Sequence, residues 1–335
     1  MAASQGLALN EHALESSKAY QEAHEVFDLL IEAMQWPDAV LMDAVSTPEV
    51  YVRSSHRGEL SGPDALADIF GPFAEGEKLS LDATNVYLAG TERHARASAY
   101  LAVKLQGGTR LAFGAILVVD LAKTASHSGW TVSAVKLQIT WVEGATTQRP
   151  SWSFPDHNRV WQVGDPLPVI VSEVDAPWHV YPETVLRPDE ARGVADTYAR
   201  YSWGIDQADF GLLASCYTED AAGTFRPIGP LSGRHAILGV LKDFRRAWPV
   251  MQHHGEVLSS IIEGDRAAII VGRLIPQAGQ QDGAYGAYYP MRLVRDRSKW
   301  RIKWTEYRPG WFNRSTIDLP ALLAATMSAE GDWAE

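Results

Sequence analysis

The chain has 335 residues, of which 46% are hydrophobic and 21% charged, and its formal net charge at pH 7 is −11. This composition is typical of well-cored globular domains and argues against a disordered chain. The excess of carboxylates argues against nucleic-acid binding, because the phosphate backbone attracts a basic surface.

The single cysteine, Cys216, excludes an intrachain disulfide framework, so we expect a reducing, cytoplasmic setting. The first 25 residues are polar and lack the apolar core of a signal peptide. No apolar run in the sequence approaches membrane-spanning length. We therefore predict that the protein has no membrane partner.

The first half of the chain predicts a helix followed by strands. The helix covers residues 20–35 and carries an apolar face of Val26, Leu29, Leu30 and Ala33. Apolar alternation between turn-forming segments then predicts strands over residues 85–89, 95–104, 110–119 and 130–141.

The segment 146–186 differs from an ordinary linker. It contains six prolines together with Trp152, Trp161 and Trp178. Because flexible linkers are rarely so aromatic, we expect this segment to pack across one or both of the neighbouring domains.

The second half predicts the same order of elements. One helix starts after Arg187-Pro188-Asp189, a second near Asp209 and a third after Gly233. The first of these helices carries a buried stripe of Val194, Tyr198, Tyr201 and Ile205. Strands are predicted over residues 222–227, 255–262, 267–275, 286–294 and 300–307, and a short helix after Leu319.

An offset of about 171 residues relates the two halves. Leu60-Ser61-Gly62 returns as Leu231-Ser232-Gly233, and 233 minus 62 is 171. Asp38 returns as Asp209, and Trp130 and Trp141 return as Trp300 and Trp311. This periodicity predicts a duplicated domain. The expected division is a domain over 1–145, a packed linker over 146–186, a second domain over 187–318 and a tail over 319–335.

Helices followed by a curled antiparallel sheet predict an α+β fold for each copy. The order of three segments in the second copy resembles the nuclear transport factor 2-like superfamily. These segments are Ile205-Asp206-Gln207-Ala208-Asp209-Phe210, Leu231-Ser232-Gly233 and Met251-Gln252-His253-His254. Within it the chain looks like the SnoaL-like branch of scytalone dehydratase, bile acid dehydratase and hexachlorocyclohexane dehydrochlorinase. The resemblance implies two tandem cones, each a curved antiparallel sheet wrapped around helices, with an apolar cavity at its open end. It also implies that Asp206 and His253 form a catalytic pair.

The residues themselves support such a pair. Asp206 follows Ile205 of the buried stripe, so its carboxylate should lie at the margin of the apolar interior. A carboxylate that orients an imidazole makes the other ring nitrogen a general base near neutral pH. This pair would abstract a proton next to a carbonyl without any cofactor or metal.

Other interpretations of these residues stay open. Asp206 would also serve as the N-cap of the second helix, with Asp209 at its N3 position. His253 and His254 would also suit a polar loop, and neighbouring strand residues face opposite sides, so only one of them can enter the cavity. A metal site that includes Glu256 is disfavoured because adjacent histidines diverge.

Further residues are candidates for substrate binding because they lie on elements expected to line the cone. The alternative interpretation of most of them is an ordinary place in the core. These candidates are Trp203, Phe225, His254, Tyr288, Tyr289, Trp304 and Glu306.

The first copy lacks the pair. The position equivalent to Asp206 is Gln35, and those equivalent to the two histidines lie near Leu79 and Ser80. We therefore expect the first domain to be a scaffold, a pseudo-subunit or a wall of the site.

The sequence thus predicts a cofactor-independent lyase of the dehydratase type, or an isomerase or cyclase, acting on a hydrophobic small molecule such as an aromatic compound. The alternative is a non-catalytic domain pair that binds a small molecule or a protein. Self-association into a homo-oligomer is compatible with either function.

Overall fold

A computed structural model describes residues 2–73, 75–107, 109–124, 129–156, 162–248, 251–275 and 283–328. The chain divides into two compact units, Met1–Pro188 and Asp189–Glu335. The segment 146–186 therefore falls within the first unit. None of the helices in these ranges is both long and apolar enough to cross a membrane.

The first unit opens with a helix that is longer than predicted, because it begins at Ala2 and ends at Gln35. The strand predicted over residues 85–89 also begins earlier, at Lys78. In chain order the elements are α1 (Ala2–Gln35), α2 (Ala39–Val45), β1 (Ser46–Ser54), β2 (Gly58–Ser61), α3 (Pro63–Ala67), β3 (Lys78–Gly90), β4 (His94–Gly107), β5 (Thr109–Lys123), β6 (Trp130–Gly144), α4 (Ser172–Asp175) and α5 (Pro177–Val180).

The second unit follows the same plan and ends with an additional helix. In chain order its elements are α6 (Glu190–Asp206), α7 (Phe210–Ser215), β7 (Tyr217–Phe225), β8 (Gly229–Ser232), α8 (Arg234–Ala247), β9 (Gly255–Glu263), β10 (Arg266–Leu274), β11 (Tyr285–Asp296), β12 (Lys299–Phe312) and α9 (Leu319–Ser328).

Each unit contains one six-stranded sheet, with the orders β2-β1-β6-β5-β4-β3 and β8-β7-β12-β11-β10-β9. The predicted α+β class with two tandem curved sheets is confirmed. The sheets are not wholly antiparallel, however, because β1 pairs with β6 and β7 with β12 in parallel. The intervening helix and strands provide the long crossover that a parallel pair requires.

The duplicated order extends to single contacts. The Gly62 amide donates to the Val50 carbonyl at 3.0 Å, and the Gly233 amide donates to the Ala221 carbonyl at 2.8 Å. Both glycines are the N-caps of the helices that follow them, α3 and α8. The buried stripe also corresponds, because Ala23, Phe27, Leu30 and Met34 of α1 stand 171 positions before Val194, Tyr198, Tyr201 and Ile205 of α6.

Helix α6 lies on the inner face of the second sheet. Its stripe packs with Ile269 and Val271 of β10 and with Met291 of β11 in one buried cluster. The alternate residues of β10, Ala268 and Ile270, face outward and pack against α9. Because side chains alternate along a strand, this arrangement fixes which residues of β10 point toward α6.

The segment after β6 contributes to the core of the first unit. Trp152 is buried in the main cluster, with its ring centroid 4.3 Å from that of His56. Trp178 is buried against Tyr87, with ring centroids 5.2 Å apart. Trp161 lies outside the described residues.

Gly62 and Gly233 provide a test of the repeated turn. Their backbone angles, φ 90° and ψ 157° for Gly62 and φ 85° and ψ 137° for Gly233, are accessible almost only to glycine. We expect Gly62→Ala and Gly233→Ala each to lower the free energy of unfolding by about 1–3 kcal/mol, since neither new Cβ would meet an atom closer than 3.9 Å and the cost is backbone strain. Urea unfolding of the full chain measures the loss.

The matched control is Gly239→Ala within α8. Gly239 is exposed, has ordinary helical angles and leaves open space for a Cβ, so alanine should raise the free energy of unfolding by about 0.5–1 kcal/mol. Destabilisation at all three positions would contradict the strain explanation.

Candidate active site

A carboxylate and an imidazole meet where α6 ends. Asp206 is the last residue of that helix, and His253 stands two residues before the start of β9. Asp206 Oδ1 lies 2.6 Å from His253 Nδ1, and Asp206 Oδ2 accepts the backbone N–H of His253 at 2.6 Å. Both residues are at most 3% exposed. One carboxylate therefore holds both the ring and the backbone of the histidine.

Asp206 does not cap the second helix. The N-cap of α7 is Asp209, whose carboxylate accepts the Leu212 amide at 2.9 Å. The two histidines do not form an exposed loop either, because both are buried. The structure thus removes the two ordinary roles that the sequence left open for these residues.

The position of Asp206 is electrostatically costly. Its carboxylate is buried, and it lies at the negative end of the α6 dipole. The two donors of His253 offset part of this cost. Arg245 also fixes the end of the helix, since its Nε donates to the Asp206 carbonyl at 3.1 Å. The fold therefore keeps a charge where stability alone would not place one.

The hydrogen bonds determine the tautomer of His253. An ionised carboxylate only accepts, so Nδ1 carries the ring proton and Nε2 carries the lone pair. Burial and the positive charge of Arg273 lower the pKa of His253, while Asp206 opposes them. The ring is therefore neutral at pH 7, with Nε2 in the form that a general base requires.

His254 has a different environment from His253. It is fully buried, and burial, with contributions from Arg273 and His253, lowers its pKa to about 3. Its carbonyl accepts the Leu274 amide at 2.9 Å and so connects this segment to β10. The described contacts of Asp206 thus favour His253 as the base and His254 as a neutral neighbour.

Tyrosine rings surround the pair inside the second unit. The Tyr201 ring stands edge-on to His253, with centroids 6.1 Å apart. Tyr289 lies 5.9 Å from Tyr198, 6.3 Å from Tyr201 and 5.3 Å from Tyr307. Burial raises the pKa of Tyr198 and Tyr201 well above the ordinary value and that of Tyr289 to about 12. These phenols stay neutral and can donate hydrogen bonds.

Gly255 allows one of these rings to reach the sheet. A Cβ at this position would lie 2.0 Å from Cε1 of Tyr198. The absence of a side chain lets Tyr198 lie against the start of β9, two residues after His253. The ring and the histidine are therefore positioned by the same short stretch of backbone.

Arg273 is the functional candidate that the sequence analysis missed. It pairs across the sheet with Gly255 and alternates with Ile269 and Val271, so it faces the same interior as the tyrosines. Its charge acts on both buried histidines. The available signal was a single arginine that follows the apolar run of residues 267–271 within a predicted strand.

The predicted substrate-binding residues divide between the two faces. Phe225 and Tyr289 lie in the same buried cluster as Tyr201. Trp203 is buried, but it stands two positions after Tyr201 on α6 and so points about 200° around the helix from it. The structure therefore brings Phe225 and Tyr289, but not Trp203, to the side of α6 that packs on the sheet.

Tyr288, Trp304 and Glu306 lie on the other face of the sheet. Tyr288 packs beside α9. Trp304 lies beneath the Arg292 guanidinium at 4.4 Å, and Glu306 accepts from Arg308 at 2.7 Å. Strand residues alternate, and their neighbours in β11 and β12 fill the interior, so these three face away from the side of the sheet on which His253 lies.

The first unit has an apolar interior at the corresponding places. Gln35 ends α1 as Asp206 ends α6, and Leu79 lies in the hydrophobic cluster. The inward residues of β4 include Ala99, Leu101 and Val103. Neither a carboxylate nor an imidazole stands at the equivalent positions.

The first unit contains a separate cleft of about 780 Å³ that is lined partly by Ser54, His56 and Arg57. Both ring nitrogens of His56 are engaged, Nδ1 with Ser54 Oγ at 2.5 Å and Nε2 with the Ile69 carbonyl at 3.0 Å. Burial lowers its pKa to about 4. His56 therefore has a structural role in the first unit.

Within the described ranges, no three histidine, cysteine, aspartate or glutamate side chains come together as a group that could hold an ion.

Fold and site together define an α+β domain with a buried carboxylate–imidazole pair. Residues 189–306 match the family model of the SnoaL-like domain. The second unit therefore contains a SnoaL-like domain, as the resemblance of its three segments predicted. A comparison with curated protein sequences gives no match.

Solved structures resemble parts of the chain at low identity. A hexachlorocyclohexane dehydrochlorinase from Novosphingobium barchaimii is 11% identical over 41% of this chain and 94% of its own, with a TM-score of 0.34. A nuclear transport factor 2-like protein from Salmonella enterica is 20% identical over 36% and 90%, with a TM-score of 0.31. A variant of a Mycobacterium tuberculosis protein of unknown function is 22% identical over 41% and 88%, with a TM-score of 0.30.

The charges around His253 predict opposite shifts of its pKa in two variants. Asp206→Asn removes the group that raises this pKa, so the pKa should fall further. Arg273→Gln removes a positive charge that lowers it, so the pKa should rise. Titration of the His253 imidazole by NMR measures both shifts. The control Arg266→Gln changes an exposed arginine of the same strand and should leave the pKa unchanged; shifts of the same sign in Asp206→Asn and Arg273→Gln would refute the assignment.

Proposed function

We propose that the second unit is a cofactor-independent lyase of the dehydratase type, or an isomerase or cyclase, in which His253 is the general base and Asp206 orients it. The observation that carries this proposal is the double hydrogen bond between one buried carboxylate and the ring and backbone of one histidine. A ring held in this way presents a single tautomer to the substrate.

The proposed reaction begins with a C–H bond next to a carbonyl. His253 Nε2 takes the proton, and the electron pair of that bond moves onto the carbonyl, which becomes an enolate. The Asp206 carboxylate stabilises the imidazolium that forms. Collapse of the enolate expels a β-hydroxyl group, which leaves as water after it receives the proton from Nε2. Return of the proton to another carbon would give isomerisation instead.

The tyrosine-rich interior supports a hydrophobic substrate that contains a ring. Tyr201, Tyr289 and Phe225 share one buried cluster, the Tyr201 ring stands beside His253, and such side chains bind planar apolar molecules well. The hydroxyl groups of the two tyrosines also supply donors for a carbonyl oxygen. Hydroxylated aromatic ketones and other β-hydroxy carbonyl compounds are therefore the first substrates to assay.

Substitution of the pair tests the proposal. With a substrate from that panel, His253→Ala should lower kcat about 10²–10⁴-fold, because a positioned base typically contributes that much. Asp206→Asn should cost nearly as much, since it removes the partner that fixes the tautomer. The double variant should be little worse than either single one, because residues that act as a unit are not additive.

The first unit provides matched controls. Gln35→Ala and Ser80→Ala change the equivalent positions of the inert copy and should leave kcat close to that of the wild type. Circular dichroism confirms that each variant is folded. Full activity of folded His253→Ala would favour the binding-module alternative over an enzyme.

The pH profile gives a second test. Because burial and Arg273 lower the pKa of His253, kcat/KM should stay high below pH 6.5 and fall only as the pH drops through that lowered pKa. A profile whose acid limb lies above pH 6.5 would contradict His253 as the base.

A further inference from the structure

Arg273 lacks a carboxylate partner of its own. Among the residues that the structure describes, it forms no ion pair; its side chain is partly buried, and its Nε is enclosed without a hydrogen-bond acceptor. Both oxygens of Asp206, the nearby carboxylate, are engaged by His253. The remaining close partner is the Tyr289 hydroxyl, a neutral phenol.

A guanidinium in this position needs an explanation. Cations within a protein interior are normally paired, since an apolar environment solvates a charge poorly. Burial acts to lower the pKa of Arg273, but its surroundings, which include Tyr289, Tyr198 and the Asp206 carboxylate, hold this pKa above its ordinary value, so the side chain keeps its charge. Arg273 faces the interior from β10. It pairs across the sheet with Gly255, which follows His253 by two residues. The site therefore presents a fixed positive charge beside its base.

Proton transfer would create the missing partner. After His253 accepts a proton, the imidazolium pairs with Asp206, and the negative charge left on the substrate requires a separate cation. We propose that Arg273, together with the Tyr289 hydroxyl, forms an oxyanion subsite. This subsite binds a delocalised oxygen anion, a carboxylate or an enolate, of a substrate that contains a ring. This inference rests on the proposed function, because it concerns the same site.

The oxyanion has two sources that share this chemistry. It is either a carboxylate that the substrate brings with it or the enolate that forms when the proton leaves. Arg273 would lower KM in the first case and raise kcat in the second. Both cases are accessible to binding measurements that need no turnover.

The experiment uses two simple probes and the full chain. For the carboxylate, calorimetry compares benzoate with benzamide, which has the same shape without the charge. For the enolate, the absorbance of bound 4-nitrophenol reports its ionisation, because a site that stabilises phenolate lowers the pKa of the bound phenol. We expect the wild type to bind benzoate about tenfold more tightly than benzamide, or to bind 4-nitrophenolate in preference to neutral 4-nitrophenol.

Arg273→Gln should abolish either preference, and Arg273→Lys should retain part of it because lysine keeps the charge but loses the planar fork. Arg266→Gln, on the exposed end of the same strand, should leave the preference intact.

The same measurements on His253→Ala separate the oxyanion subsite from the proposed function, since binding of the anion needs no base. A wild type with neither preference, or one that persists in Arg273→Gln, overturns the oxyanion subsite. If Arg273→Gln does not fold, Arg273→Lys and the wild-type probe pairs still decide the question.

Discussion

The carboxylate of Asp206 is the constraint on which the site of the second unit depends. It ends a helix whose dipole opposes it, and it is buried, so it needs compensation close at hand. His253 supplies that compensation from its backbone and from its ring. One interaction thus defines where the helix meets the sheet, which tautomer the imidazole adopts and how the strand β9 begins.

The two units show that fold and chemistry are separable in this chain. Their strands follow the same order, and their N-cap glycines form equivalent turns. The buried stripes of their leading helices correspond at the offset that relates the two halves. Yet the positions of Tyr198 and Tyr201 correspond to Phe27 and Leu30, and that of Asp206 corresponds to Gln35. The sheet and helix therefore tolerate either an apolar or a phenolic interior, provided that volume and periodicity are kept.

Local patterns predicted most of the elements, because apolar periodicity is a property of sequence neighbours, whereas the Asp206–His253 pair was implied by the resemblance to the SnoaL-like branch. Tyr198 and Tyr201 were predicted as core, which is true of their rings but omits their hydroxyl groups. Arg273 could not be singled out, because its inward direction depends on the pairing of β10. The faces of Trp304 and Glu306 depend on a register shift between β11 and β12, and no local signal records it.

The covalent connection of the two copies has a genetic consequence. In a homodimer of a single gene, every substitution appears in both subunits, so a costly buried charge is present twice. Here each copy has its own codons, and selection can act on Gln35 without affecting Asp206. The two copies therefore need not have identical sequences, as the subunits of a homo-oligomer must. One interior can retain reactive groups while the other accumulates only those changes that favour stability.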